Sequence, residues 1–197
     1  VIDEGLYTNI ARSLAAKGEL AFRGQPINYP YLLYPILLVP VYWFASWTNM
    51  DVFRLIQVFN TLLITSSVFP ALRFAKEFTK SNRTAFLSAA LVSLMPDMLM
   101  GGYSMTECLI WPLSLWMLFF CYRFYVSFGL KDGFLTALFA GLLYFTKPGA
   151  IACGAVMLLL NLVFSRRKGR KQVLSSFCAC LLLLTEIAIV YGVYRMI

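Results

Sequence analysis

The chain has 197 residues, of which 60% are hydrophobic and only 13% are charged, with a formal net charge of +8. About a quarter of the residues of a soluble domain are charged, so this composition, with its long uncharged runs, excludes an ordinary soluble domain. The chain has no histidine. That absence excludes histidine-assisted nucleophiles and histidine metal ligands, and it leaves acid–base chemistry to carboxylates.

The first predicted element is an amphipathic helix from Glu4 to Lys17, which Gly18 is expected to end. Its apolar positions recur at helical spacing, with Thr8, Asn9, Arg12 and Ser13 on the opposite side. The apolar positions are Leu6, Tyr7, Ile10, Ala11, Leu14 and Ala15. The segment is too polar to span a bilayer, so we expect this helix to lie on the membrane surface.

The segment "GQPINYP" predicts an irregular loop, and the apolar run Tyr31–Trp47 follows it. This run is short for a spanning helix, contains Pro35 and Pro40, and is rich in the Tyr and Trp residues that favour membrane interfaces. It can be interpreted as a crossing or as a juxtamembrane or re-entrant segment. Chain orientation favours the second interpretation.

Six later apolar runs predict spanning helices. They are Val52–Leu72, Thr84–Met100, Cys108–Val126, Phe134–Thr146, Gly149–Phe164 and Val173–Tyr194. Phe134–Thr146 is short, so we expect a kinked or broken hairpin with the segment that follows it. The predicted fold is therefore all-α: an external loop with juxtamembrane helices over residues 1–50, then a polytopic transmembrane bundle over residues 51–197. Because the chain lacks an initiator Met and stops inside an apolar run, we expect a fragment of a longer membrane protein.

Cysteines and basic residues narrow the function classes further. The five cysteines, Cys108, Cys121, Cys153, Cys178 and Cys180, lie in or beside apolar runs without zinc spacing, which indicates packing residues. Eleven of the 17 basic residues lie in three loops, residues 73–83, 123–133 and 165–171. Basic loops between spans mark the cytoplasmic side, so this distribution argues against a nucleic-acid-binding patch.

With those loops inside, one external face receives five charged residues, provided that Tyr31–Trp47 does not cross. They are Asp3, Glu4, Asp97, Glu107 and Lys147. Each has an ordinary interpretation: acids favour the first turn of a helix, and a lysine near a membrane boundary can extend to water. Each also has a functional one, because the acids can do acid–base chemistry and an ammonium binds a lipid phosphate well.

Three segments in this order resemble the GT-C glycosyltransferases, and among them the protein O-mannosyltransferase and lipid A aminoarabinose transferase group. "IDEGLYTNIARSLAAKGELAF…NYPYLLYPILLVPVYWF" is similar to the family's first external loop. "YSMTECLIWPLSLWMLFFCYRFY" is similar to the second external loop, and "GLLYFTKPGAIACGAVMLLL" to a Thr-Lys-Pro stretch. Together they cover most of the chain.

The resemblance implies an enzyme that moves a sugar from a polyprenyl-phosphate donor to a lipid, glycan or protein acceptor hydroxyl. It implies a bacterial plasma membrane protein whose active site faces the external or periplasmic side. By position, Asp3 is the main catalytic carboxylate, supported by Glu4 and Glu107, and Lys147 neutralises the departing lipid phosphate. Asp3 and Glu107 are the candidate ligands of a divalent cation. The family's His and further Arg residues have no match here.

Two other classes fit part of the pattern. A transporter or flippase of lipid-linked sugars would use the same external charges as a binding site, although transporters more often place charges at mid-membrane, where Glu186 is the main acid here. A non-catalytic membrane scaffold would give every charge its ordinary role. The ordered resemblance favours the glycosyltransferase.

Overall fold

A computed structural model describes residues 2–27, 31–79, 81–93, 105–127, 129–147 and 170–196, together with residues 155, 156, 159 and 163. The described chain is mostly helical, which confirms the predicted all-α class. The helices are α1 (Ile2–Lys17), α2 (Leu33–Thr48), α3 (Val52–Thr65), α4 (Val68–Phe78), α5 (Asn82–Ser93), α6 (Glu107–Ser127), α7 (Leu130–Thr146) and α8 (Arg170–Met196). A small hairpin pairs β1 (Ala21–Phe22) with β2 (Gln25–Pro26).

The turn after α1 differs from the predicted irregular loop. α1 ends where predicted, because Gly18 adopts a φ of 71°. The antiparallel hairpin that follows turns through Arg23 and Gly24, with φ values of 52° and 82°. Positive φ at both central residues is typical of the tight two-residue turns that match the strand twist. Strands of two residues have no detectable periodicity, which explains why the sequence pattern missed them. Residues 28–30 lie outside the described part.

The apolar side of α1 packs against α2 instead of a membrane surface. Tyr7, Ile10 and Ala11 are buried, and the Tyr42 hydroxyl of α2 donates a hydrogen bond to the Thr8 carbonyl at 3.0 Å. α2 thus covers the buried part of this stripe, and the location of the helix at a membrane surface stays a prediction. The helical spacing of apolar residues predicted which side of α1 is buried, but it did not predict that α2 covers that side.

α2 is too short to cross a bilayer as a straight helix. Its 16 residues extend about 24 Å at 1.5 Å per residue, against a hydrocarbon core of ~30 Å. Several apolar side chains of α2 are exposed, among them Ile36, Trp43, Phe44 and Trp47. The Trp43 indole N–H also donates a hydrogen bond to the Ala15 carbonyl of α1 at 3.1 Å. This geometry agrees with a juxtamembrane position for Tyr31–Trp47.

Two helical stretches in the described part are long and apolar enough to cross a membrane by length and composition. One is Val52–Phe78, with 27 residues, and the other is α6, with 21. The first joins α3 and α4 through a break at Ser66 and Ser67, and it extends the predicted span beyond Leu72. Asp51 caps its start by accepting a hydrogen bond from the Phe53 backbone N–H at 2.9 Å.

α4 and α6 run in the same direction. The Arg73 guanidinium lies over the Trp116 ring, 5.7 Å from its centroid, and the Phe78 and Tyr122 rings are 4.9 Å apart. The basic ends of both helices therefore lie at the same end of the molecule, while Glu107 lies at the other end of α6. This is the arrangement that the basic loops predicted.

α7 is longer than predicted. It begins at Leu130 instead of Phe134 and has 17 residues, because its first turn includes Asp132, whose carboxylate accepts a hydrogen bond from the Ser127 hydroxyl at 3.1 Å. α7 itself is one continuous helix antiparallel to α6; the predicted hairpin with the segment after it lies outside the described residues and stays a prediction. The predicted span 84–100 is described up to Ser93, as part of α5, and the predicted span 149–164 only at residues 155, 156, 159 and 163.

Packing centres on α6 and α7, with α3 and α4 against α6, and α8 against α7. Met117, Phe124 and Leu143 are among the fully buried side chains. Cys108 and Cys121 are also buried, as the packing interpretation expects. α1 packs against β1 and α2, and α2 also contacts α3 and α7.

Candidate functional site

An ion pair joins two predicted site residues, Glu107 and Lys147. The Lys147 Nζ lies 2.8 Å from the Glu107 Oε1 and donates a hydrogen bond to it. Glu107 is the first residue of α6, and Lys147 directly follows α7, with an extended backbone and its N–H bonded to the Leu143 carbonyl. Because α6 and α7 form an antiparallel hairpin, residues 40 positions apart meet at its open end.

The second oxygen of the Glu107 carboxylate also has a donor. The Thr106 hydroxyl lies 3.3 Å from the Glu107 Oε2, and Thr106 is only 1% exposed. A buried threonine thus fixes the inner side of the carboxylate while the lysine holds the outer side. The sequence analysis did not predict this bond.

The pair stays open to solvent. The side chains of Lys147 and Glu107 are 48% and 37% exposed. Exposed pairs of this kind typically contribute only ~0–1 kcal/mol to stability. A ligand anion can therefore approach the ammonium without the loss of a large structural contribution.

Aromatic side chains connect this pair to the segment that enters α2. The Tyr31 and Tyr144 rings meet edge to face, with centroids 6.0 Å apart, and Tyr144 lies one turn before Lys147. The start of α2 is therefore next to the end of α7. The sequence analysis did not predict this contact. The only related signal was the proline- and tyrosine-rich composition of the segment that enters α2.

A buried tyrosine ties α1 to the same end. The Tyr7 and Tyr34 rings are 5.6 Å apart, and the Tyr34 hydroxyl donates to the Asn60 side-chain oxygen at 3.0 Å. Tyr34 and Asn60 are both fully buried, so this link fixes the first turns of α1 against α2 and α3. Tyr34 lies one turn after Tyr31, which contacts the end of α7.

Asp3 and Glu4 lie in the first turn of α1, one turn before Tyr7. Their backbone is thus at the end of α1 that Tyr34 anchors, toward the Glu107–Lys147 end of the molecule. The side chains of Asp3 and Glu4, and all of Asp97, lie outside the described residues. Their roles stay predictions.

The predicted divalent cation finds little support at Glu107. Among the described side chains there is no group of three or more metal-binding residues. An ammonium already lies 2.8 Å from the Glu107 Oε1, and its positive charge opposes a cation at that oxygen. The donors around Glu107, which are the Lys147 ammonium and the Thr106 hydroxyl, suit an anion beside Lys147 better than a metal. The chemistry proposed for this site therefore uses no metal ion.

A scan against protein-family models and searches of curated proteins and of solved structures found no match. The comparisons therefore neither support nor oppose the GT-C resemblance, and function has to be argued from the chain itself.

Proposed function

We propose that the chain belongs to a polytopic GT-C-type membrane glycosyltransferase. It would move a sugar from a polyprenyl-phosphate donor to an acceptor hydroxyl at the external membrane face. The observation that carries this proposal is the accessible Lys147 ammonium, held 2.8 Å from Glu107 at the end of an apolar helical hairpin. A phosphate at the membrane boundary is the ligand that such a cation fits best.

The position of the pair in the bundle supports a boundary site. Glu107 begins a helix that is apolar enough to span a bilayer, so the pair lies near one end of the hydrocarbon core if α6 crosses. Lys76, in the last turn of α4, and Arg123, near the end of α6, lie toward the opposite end of these helices. The usual bias of basic residues toward the cytoplasm makes the Lys147 end external.

The transfer needs one bond to form and one to break. The acceptor oxygen attacks the anomeric carbon on the side opposite the lipid phosphate, and the bond between that carbon and the phosphate oxygen breaks. The proton of the acceptor hydroxyl passes to a carboxylate, for which Asp3 is the candidate, with Glu4 beside it. The departing phosphate gains negative charge.

Lys147 has the role that the geometry supports most directly. An ammonium placed before the reaction at the phosphate stabilises the negative charge that grows there in the transition state. Glu107 acts through Lys147: its carboxylate, bound on its other side by Thr106, keeps the flexible lysine at the site. Glu107 is therefore a positioning residue in this scheme.

The test is Asp3→Asn in the full-length protein, assayed for sugar transfer from a radiolabelled polyprenyl-phosphate donor. We expect transfer to fall by about 100-fold or more, while donor binding in detergent stays close to that of the parent protein. Full transfer by a folded Asp3→Asn protein would overturn the catalytic assignment. Normal movement of the labelled lipid across vesicle membranes, with no transfer by the parent protein, would instead identify a transporter or flippase.

A further inference from the structure

Two cavities adjoin at the β1–β2 hairpin. The larger, of about 620 Å³, lies between the end of α1, the hairpin and the start of α2. Its lining is mostly apolar and includes Leu14, Leu20, Ile27, Leu32 and Ile36. It is large enough to take a segment of an acyl chain.

The smaller cavity, of about 330 Å³, is basic. Arg12 and Lys17 of α1 and Arg23 of the hairpin turn line it, and Asn9 and Ser13 add polar groups. The two cavities share three lining residues, Glu19, Ala21 and Gly24. Glu19 is the one acid among the lining residues, so three cations face a single carboxylate.

The cations lack close counter-charges within the part of the chain that the structure describes. None of Arg12, Lys17 and Arg23 is in an ion pair there. Burial raises the pKa of the Tyr42 phenol, and the positive charge of Arg12 opposes that rise, which places Arg12 beside α2. A cavity with this charge favours an anionic ligand.

Arg23 occupies a costly backbone position. Its φ of 52° lies in the left-handed region, where a residue with a Cβ costs roughly 1–2 kcal/mol and where Gly or Asn is preferred. Its guanidinium lies over the Phe22 ring, 5.2 Å from the centroid, which stabilises the charged group at the hairpin. Strain of this kind is concentrated at ligand-binding positions.

The apolar cavity continues onto the exposed face of α2. Ile36 lines the cavity and also begins the apolar stripe that continues through Trp43, Phe44 and Trp47. A helix face with two tryptophans suits the boundary between headgroups and acyl chains. The apolar lining of the larger cavity and this stripe meet at Ile36, so a lipid chain that lies along the stripe can enter the cavity.

We propose that the two adjoining cavities bind one anionic, phosphate-bearing membrane lipid, with its phosphate among Arg12, Lys17 and Arg23 and its chain in the apolar cavity. Each cavity fits one half of an amphiphile, and they meet at the hairpin. Lys17, which lines the basic cavity, is 14 residues from Asp3 along α1, about 20 Å at the helical rise. The proposal does not depend on sugar transfer.

The test is native mass spectrometry of the detergent-solubilised full chain with added phosphatidylglycerol or phosphatidylcholine. We expect the parent protein to retain phosphatidylglycerol preferentially, and Arg12→Gln with Arg23→Gln to retain at least about fivefold less of it. Arg54→Gln is the matched control, because it removes an exposed arginine that lies near Asp51 instead of the cavities. That control is expected to retain lipid as the parent does.

A second variant distinguishes a lipid from free phosphate. Leu20→Gln disrupts the apolar cavity and is expected to lower phosphatidylglycerol retention, and an excess of inorganic phosphate is expected to leave the lipid bound. Equal retention by the parent and the Arg12→Gln, Arg23→Gln protein would overturn the proposal. So would displacement of the lipid by inorganic phosphate, which would identify a site for soluble anions. The melting temperature of each variant shows that it is folded.

Discussion

The α6–α7 hairpin has an ion pair at each end, and the two pairs differ in construction. At the closed end, Arg123 lies 3.5 Å from Asp132, whose side chain is only 11% exposed. At the open end, Lys147 lies 2.8 Å from Glu107, whose side chain is 37% exposed. One carboxylate is nearly buried between neighbouring helix ends, and the other faces solvent.

The surroundings of each pair suggest different roles. The Asp132 carboxylate also accepts from the Ser127 hydroxyl, so it holds the turn together. The next residue, Gly133, packs so tightly that an added Cβ would lie 2.9 Å from the Phe124 ring. The open end has no such turn, and its pair contributes little to folding. We infer that the closed end specifies structure, whereas the exposed pair at the open end can meet a ligand.

The largest effect is expected for Lys147→Gln. Loss of the ammonium removes the charge that stabilises the departing phosphate, so transfer should fall by roughly 100-fold. Because the pair is exposed, stability should change by less than about 1 kcal/mol. Transfer from the labelled donor and melting in detergent measure the two effects.

Lys131→Gln is the matched control, since it removes an exposed lysine from the closed end of the same hairpin. The control should keep its transfer rate, and Lys147→Arg should recover part of the loss because it restores the positive charge. A Lys147→Gln protein with parental transfer would contradict the functional role of the open end.

The next effect concerns the closed end. Gly133→Ala should destabilise the protein by about 1–3 kcal/mol, since the new methyl overlaps the buried Phe124 ring in a packed core. Gly129→Ala is the control: its Cβ would lie 3.4 Å from the Ser127 hydroxyl and meet no ring. Thermal unfolding of both variants checks the difference, and equal melting temperatures would show that the turn tolerates repacking.

Much of this arrangement could be predicted from local patterns. Helical periodicity gave α1 with its buried Tyr7 and Ile10, and Gly18 ended it as expected. Long apolar runs gave the cores of α3, α4 and α6. The start of α7 was missed because Lys131 and Asp132 are charged and were assigned to a loop, whereas tertiary contacts to Ser127 and Arg123 bring them into the helix.

Contacts between distant segments were harder to predict. Basic-loop orientation put Glu107 and Lys147 on one face, but their direct contact depends on the lengths of α6 and α7, which could be predicted only approximately. The edge-to-face contact of Tyr31 and Tyr144 and the bond from Tyr34 to Asn60 join segments far apart in sequence. The periodicity within one segment carries no information about contacts between segments, so these contacts depend on how the helices pack.

The smallest effect compares the two carboxylates directly. Asp132→Asn should cost about 1–2 kcal/mol of stability, because it replaces a charged acceptor that is nearly buried beside Arg123 and the Ser127 hydroxyl; transfer per folded molecule should not change.

Glu107→Gln should instead lower sugar transfer and leave stability nearly unchanged. Its free energy of unfolding should change by less than about 0.5 kcal/mol. Because Lys147 loses its charged partner, however, we expect about tenfold less transfer and an increased KM for the phosphate donor. Measuring melting and donor kinetics for both variants tests whether the effects separate. If both carboxylates changed only stability, the open end would be a second structural clamp and Glu107 would have no positioning role.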